Sequence, residues 1–306
     1  MSNVLYPFGI DVSSHQGVID WDKVAAFTPK VQFVFIRAGM SWGWEDPQFQ
    51  RNWKEAKRVG IARGAYHVLY PGQPVARQVD KFASIVGEDQ GELAMSGDVE
   101  LHHNVKPSAF LPAMGEYLAL ISEACKRPAI CYTRASFIDY YVLGNGLLAP
   151  PRWFNDHDWW LAQYLSSGIE HVGPPILPRG VRRDRVIIHQ TSEKGDGKGA
   201  GMESFGLDLN RWQEQSARLT FAGYIAQYNG QQPPPVDPPQ PPPNPCAELI
   251  AENEQLKADN ARLTAEVDTA EDEWEALLIT NSNLQADNKK MHDDLMEIRE
   301  ITDKWY

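Results

Sequence analysis

The chain has 306 residues, of which 42% are hydrophobic, and carries a formal net charge of −12; that is enough apolar content for one large or two smaller cores. The charge is uneven: residues 1–232 hold 24 acidic and 23 basic side chains, whereas residues 246–306 hold 16 and 6. A near-neutral front and an acidic tail argue against nucleic acid or another polyanion as partner.

The N-terminal segment, Met1 to Tyr6, has no basic stretch leading into an apolar run, so no signal peptide is expected. No stretch reaches the ~18 apolar residues of a membrane span. The cysteines Cys125, Cys131 and Cys246 make no disulfide framework, which fits a reducing compartment. Strands are expected near 8–13, 33–38, 64–69, 94–100, 129–133, 159–164, 186–191 and 206–210. Helical patterns fall between several of them, most clearly at 47–60, 74–87 and 108–126, the first two closing on Gly60 and Gly87. Alternating strands and helices imply a parallel sheet, and about eight strands imply closure. The fold class is therefore α/β, a TIM-like (β/α) barrel over residues 1–228. It is expected to be irregular, because the connections after the sixth and seventh strands carry no helical pattern.

Residues 229–245 are dominated by proline (QQPPPVDPPQPPPNP over 231–245), which forbids helix and central strand and reads as an extended spacer. Residues 246–306 contain neither Pro nor Gly. They repeat every seven residues: Leu249, Leu256, Leu263, Ala270, Leu277, Leu284, Met291, Ile298 and Trp305 share one position. Asn253, Asn260, Asn281 and Asn288 recur four residues on. With the Leu series at d, those Asn occupy a positions, a pattern that favours a coiled coil in fixed register. The competing reading is a single solvated helix; a homo-oligomer through 246–306 is the expectation.

Barrel active sites lie at the C-terminal ends of the strands. Four acids fall at expected strand ends: Asp11 on the first, Asp98 and Glu100 on the fourth, Asp208 on the eighth. Asp98 and Glu100, two apart on one strand, would share a face. One charged carboxyl raises the pKa of the next, which supplies the protonated acid and the anion that glycoside cleavage needs. Trp42 and Trp44, after the second strand, suit a sugar platform on the rim. Tyr66 is expected to touch substrate; His67 beside it reads equally as a satisfied core group. Gln163 and Gln190 could bond the sugar or cap inner barrel layers. Arg37 is placed to pair with one of the acids or with substrate.

Other chemistries fit poorly. The histidines are scattered, and adjacent His102 and His103 would face opposite ways on a strand, so neither a zinc site nor any other metal or cofactor is expected. Cys131 lies inside a strand and reads as core. The glycines of 195–201 lack phosphate-loop spacing.

The stretches GIDVSSHQGVIDW (9–21), FVFIRAG (33–39), DPQFQRNWKEAKRVGIARGAYHVLYPG (46–72), GDVE (97–100), ICYT (130–133), WLAQY (160–164), HQTS (189–192) and LDLNRW (207–212) run in order through the first zone. On these the chain resembles glycoside hydrolase family 25, the Chalaropsis-type lysozymes common in bacteriophage endolysins. The resemblance implies a β/α barrel that hydrolyses the β-1,4 bond between N-acetylmuramic acid and N-acetylglucosamine. It places Asp11 in the family's Asp-x-Ser motif, Asp98 and Glu100 in its Asp-x-Glu motif with Glu100 as proton donor, and Asp208 in the closing Asp-Leu-Asn segment. It implies retention of configuration with help from the substrate's acetamido group, Asp98 orienting that group; direct attack by an Asp or activation of water stays open beside it. It also implies a phage endolysin held in the host cytoplasm until a holin-type release. The alternatives are a non-catalytic peptidoglycan-binding protein and a virion component. The sequence departs from the family at His189-Gln190-Thr191, where Trp-Gln-Tyr is usual, in the glycine-rich loop 193–206, and in the less apolar AMSG run before Asp98.

Overall fold

The computed structural model describes residues 6–165 and 170–228; the proline-rich linker and the heptad tail expected from the sequence lie outside the described residues. Among the described residues nine strands and six α-helical elements follow in order: β1 (Phe8–Val12), α1 (Trp21–Ala26), β2 (Val31–Met40), β3 (Trp44–Glu45), α2 (Phe49–Arg58), β4 (Ala62–Val68), α3 (Val75–Val86), β5 (Ser96–Asp98), α4 (Pro107–Cys125), β6 (Ile130–Thr133), α5 (Ala135–Phe137), β7 (Asp158–Ala162), β8 (Val186–Ser192), β9 (Asp208–Trp212) and α6 (Phe221–Tyr228). The strand order β1-β9-β8-β7-β6-β5-β4-β2 closes through a β1–β2 pairing. The barrel thus has eight staves, and β3 is an outlying strand paired with the end of β2.

Seven staves run parallel, as the alternation of strand and helix requires. The eighth does not: β9 is antiparallel to both β1 and β8. This corrects the all-parallel expectation. Residues 193–207 contain no helix to carry the chain back down the barrel wall, so the strand that follows starts where β8 stopped and runs the other way. Asp208 consequently opens its strand, and still arrives at the mouth where the parallel strands end.

Alternation along the strands separates two cores. Val34, Ile36 and Ala38 of β2 belong with the helix-facing cluster, which includes Ile10 and Val12 of β1 and Phe49, Phe82 and Phe110 of the helices. Phe33 and Phe35 belong to the other cluster, with Ile130, Tyr132, Trp160, Ile188 and Trp212. Two glycines make room inside: a Cβ on Gly9 would lie 2.3 Å from the Phe33 ring, and one on Gly64 would lie 2.3 Å from Phe35. At the far end α6 closes the barrel, packing Phe221 and Tyr224 edge-to-face with Trp212 at 5.3 and 5.0 Å. Each fully buried aromatic side chain of this kind contributes roughly 1.5–3 kcal/mol of transfer free energy.

The expected helices are found within a few residues of their ends. Gly87 caps α3 at φ 68°, in the left-handed region glycine enters without strain. The helices α1, α5 and α6 carried no sequence expectation. No helix among the described residues is long and apolar enough to cross a membrane.

Candidate active site

The inward row that carries Phe33 and Phe35 at the barrel's centre ends at its mouth in polar groups. Arg37, Tyr66, Asp98, Tyr132, Gln190 and Asp11 line one crater of about 320 Å³ together with Glu100, Asp208, Ser13, His15 and Gln16. Trp160 also lines it, held by Phe35 and Tyr132 at ring distances of 4.6 Å each. All four acids expected from the sequence therefore meet in one place.

Asp11 is buried, and a single oxygen, Oδ2, accepts from Gln190 Nε2 and from Asn210 Nδ2, each at 2.8 Å. Both amides are oriented from behind. Trp160 Nε1 donates to Asn210 Oδ1 at 2.7 Å, and Tyr132 donates its hydroxyl to Gln190 Oε1 at 2.9 Å, where the Tyr164 hydroxyl also donates. With their oxygens engaged, the amides can only present N–H to the carboxylate. Asp208 is the register partner of Asp11 across β1 and β9.

Asp98 ends β5 and is buried, with Oδ1 lacking any hydrogen-bond partner among the described residues. The strand stops short of Glu100, contrary to the expected 94–100 span. Val99 remains fully buried, its N–H donating to Tyr132 O and its carbonyl accepting from Thr133 Oγ1. That holds the chain against β6, and Glu100 reaches the crater's lip on the same face as Asp98, open to solvent on one side.

The sequence model of the glycosyl hydrolases of family 25 matches residues 10–200. The chain belongs to that family. YegX of Escherichia coli K12, an uncharacterised protein, is 31% identical over 168 residues, 54% of this chain and 59% of YegX, so the match spans about three-fifths of that relative's length. Lysozyme M1 of Streptomyces globisporus is 29% identical over 222 residues, 69% of each chain. Among solved structures, the lysozyme of Streptomyces coelicolor superposes with a TM-score of 0.59 at 23% identity, over 74% of this chain and 99% of its own. A family 25 glycosyl hydrolase from Bacillus anthracis gives 0.55 at 23%, over 70% and 91%. At these identities the structures speak for the fold: an α/β barrel with a closed eight-strand wall.

Within this family 25 barrel, burial raises all four acids. Asp11 is pushed up to about 6, its burial opposed by the two amide donors and reinforced by Glu100. Asp208 is pushed up to about 8 by burial and then by the charge of Asp11. Asp98 is held well above the carboxylate range by burial, Glu100 and Asp11, against a lowering pull from Arg37. Glu100 is raised by enclosure and drawn down by Arg134. Partial removal from water is the leading cause that favours the protonated form of Glu100.

The other expected residues divide. Tyr66 lines the crater and packs edge-on against Trp160 at 6.3 Å. His67 is a core group, its Nε2 donating to Ser41 O at 2.8 Å and Nδ1 facing the Tyr117 hydroxyl at 2.9 Å; burial lowers its pKa to about 4. Arg37 lines the crater, but its ion pair is with Asp46 at 2.9 Å and not with one of the four acids. Asp46 is fixed for that role, since it also accepts from the Ser14 and Gln48 N–H groups at 2.9 Å each. Trp42 and Trp44 are exposed but do not line the crater. Trp44 lies in β3 rather than a loop, beside Arg37, and Trp42 is covered on one face by Arg77 at 4.2 Å. Gln163 faces a neighbouring cleft, its Oε1 accepting from Ile176 N. Gln190 lines the crater with its amide committed to Asp11 and the tyrosines.

Sequence reasoning did not single out Asn210, Tyr132 or Tyr164, which orient Asp11, nor Arg134 beside Glu100. Asn210 and Tyr132 lay inside strands already expected, on the same faces as Asp208 and Ile130, so the period-two pattern could have found them. Among the described residues no group of three His, Cys, Asp or Glu is placed to hold a metal ion.

Proposed function

We propose that this chain is a muramidase that hydrolyses the β-1,4 bond between N-acetylmuramic acid and N-acetylglucosamine in peptidoglycan. The observation that carries this reading is geometric: four acids line one crater, and two amide donors brace Asp11, a split that favours its anion over that of its partner Asp208. A site that must donate one proton and face a developing positive charge needs such a split.

In this reading Glu100, at the lip where the leaving sugar departs, gives its proton to the glycosidic oxygen. Asp11 supplies the negative charge that stabilises the oxocarbenium-like transition state. Asp98 orients the substrate's acetamido group: its Oδ1 has no protein donor, and an orphaned buried acceptor costs about 1–3 kcal/mol unless a ligand N–H satisfies it. Asp208 keeps its proton beside Asp11 and limits the crater's charge. Tyr66 and Arg37 contact the bound sugar in the crater, and Trp42 and Trp44 flank its approach. Peptidoglycan glycan strands are thus the substrate, and no cofactor enters the reaction.

The same reading makes the chain an endolysin for host lysis, with residues 246–306 joining copies so that two barrels meet one wall. Linked modules gain avidity through effective concentration. Mass spectrometry of digested peptidoglycan tests the bond cleaved. Fragments ending in reducing muramic acid are expected; fragments ending in reducing glucosamine, or free lactyl-peptides, would overturn the assignment.

A further inference from the structure

Glu100 is a wall between two cavities. Behind the acidic crater's lip lies a cleft of about 610 Å³ lined by Glu100, Arg134, Ser136, Phe137, Tyr140 and Tyr141. Arg134 and Ser136 also line a third cleft of about 430 Å³, with Gln163, Tyr164 and Ile176. Arg134, which follows β6, therefore sits where the two clefts meet, next to the residue that faces the scissile bond.

Its guanidinium is within electrostatic reach of Glu100 but makes no ion pair with it. It lies over the Tyr164 ring at 5.1 Å. Other arginines are paired: Arg37 with Asp46, Arg179 with Asp139 and Arg211 with Glu170. Asp139 is the acid of the third cleft, and it also accepts from the Arg179 N–H at 2.9 Å. Among the described residues no ion pair within 4.0 Å includes Arg134. A guanidinium presents planar donors that match a carboxylate in two parallel bonds. Beside it the exposed Tyr140, and Tyr141 with one face stacked on the His102 ring at 4.2 Å, offer apolar walls to a short peptide.

We infer that Arg134 binds a carboxylate of the stem peptide carried by a muramoyl unit next to the bond being cut. The inference rests on the muramidase reading, which brings such a peptide to Glu100's outer side. Arg134 is then a specificity residue: it makes the enzyme prefer acidic stems over amidated ones.

The test uses the full chain and two soluble tetrasaccharides of alternating N-acetylglucosamine and N-acetylmuramic acid. Both carry L-Ala-D-Glu stems, one with the Glu carboxyls free and one with both as carboxamides. Turnover is measured for the native chain, Arg134→Gln and Arg134→Lys, and affinity for both sugars is measured in the Glu100→Gln background with and without Arg134→Gln. The native chain should favour the free acid about tenfold in KM, equivalent to ~1.4 kcal/mol. Arg134→Gln should bring the ratio to within twofold of unity, and Arg134→Lys should keep part of it. A native ratio near one, or a ratio unchanged by Arg134→Gln, overturns the site. If the native chain cuts neither sugar but Arg134 governs a preference in affinity, the muramidase reading falls and the carboxylate site stands.

Discussion

Asp11 and Asp208 stand directly opposite each other across the antiparallel pair β1–β9. Paired like charges oppose each other's ionisation, and the fold breaks their symmetry. Gln190 and Asn210 both donate to Asp11, and so Asp11 titrates near 6 while Asp208 titrates near 8. The reversal of β9 is what brings this pair together at the mouth.

Gln190→Ala removes one of the two donors that favour the Asp11 anion, so its pKa should rise above about 6. A hydrogen bond to a charged group is worth about 1.5–3 kcal/mol, or roughly 1–2 pH units. The acid limb of kcat/KM against pH should move up by about that much. Asn210→Ala should act in the same direction, and Trp160→Phe, which only frees the Asn210 amide, should act less. A limb that stays in place in Gln190→Ala would remove Asp11 from the mechanism.

Glu100→Gln should lower kcat by about 10²–10⁴, the usual contribution of a general acid. Its side chain is partly open to solvent at the lip and its pKa is raised by enclosure, so removing the charge should not lower Tm. Muropeptide release and thermal unfolding, measured on the same preparation, check both halves; full activity, or a large fall in Tm, would contradict the assigned role.

How much of this was legible in the sequence depended on how local each feature is. Seven staves could be read because their apolar runs and intervening helices are local patterns. The four acids could be placed because each ends or opens such a run. The direction of β9 was not legible as strand pattern, since a strand reads the same both ways; only the helix-free 193–207 connection carried that signal. The Arg37 partner was misplaced because Asp46 is brought back by β3, whose two residues are too short to register as a period. Arg134's importance was invisible for another reason: it comes from what fails to pair with it, a property of the assembled surface.

Trp42→Ala and Gln163→Ala should separate substrate contact from scaffold. Trp42 offers an exposed ring above Arg77, so its loss should raise KM several-fold with kcat unchanged. Gln163 spends its side chain on the Ile176 N–H, so its loss should cost about 0.5–1.5 kcal/mol of stability and leave KM within twofold. Steady-state kinetics on soluble glycan strands, with denaturant unfolding beside them, would show the reverse pattern if the sequence-based pairing of these residues as sugar contacts were right for Gln163.

Residues 246–306 should set the mass of the particle in solution. Nine positions at seven-residue spacing would fall on one apolar seam if the segment is helical, and such a seam is expected to be covered by another copy. Sedimentation of the full chain should give a dimer or small oligomer, and of residues 1–228 a monomer, with high salt changing little because the seam is apolar. Equal monomeric masses would end the avidity proposal.

Asp208→Asn should stabilise the barrel, by an amount that grows as pH rises from about 4 to about 8. The folded-state pKa of Asp208 is raised from 3.8 to about 8. Between those values the native chain holds a proton that the unfolded chain has released, so stability falls as pH rises from about 4 to 8 and is flat beyond. The asparagine removes that penalty while keeping a side chain of the same shape. Its Tm should match the native chain at pH 4 and exceed it at pH 8, by roughly 2–4 °C for each kcal/mol recovered in a domain of this size. Activity should fall in the same variant, the usual trade between a strained site and a stable one. A Tm gain equally large at pH 4 would mean that Asp208 costs stability through packing, and that its proton is not what the crater holds.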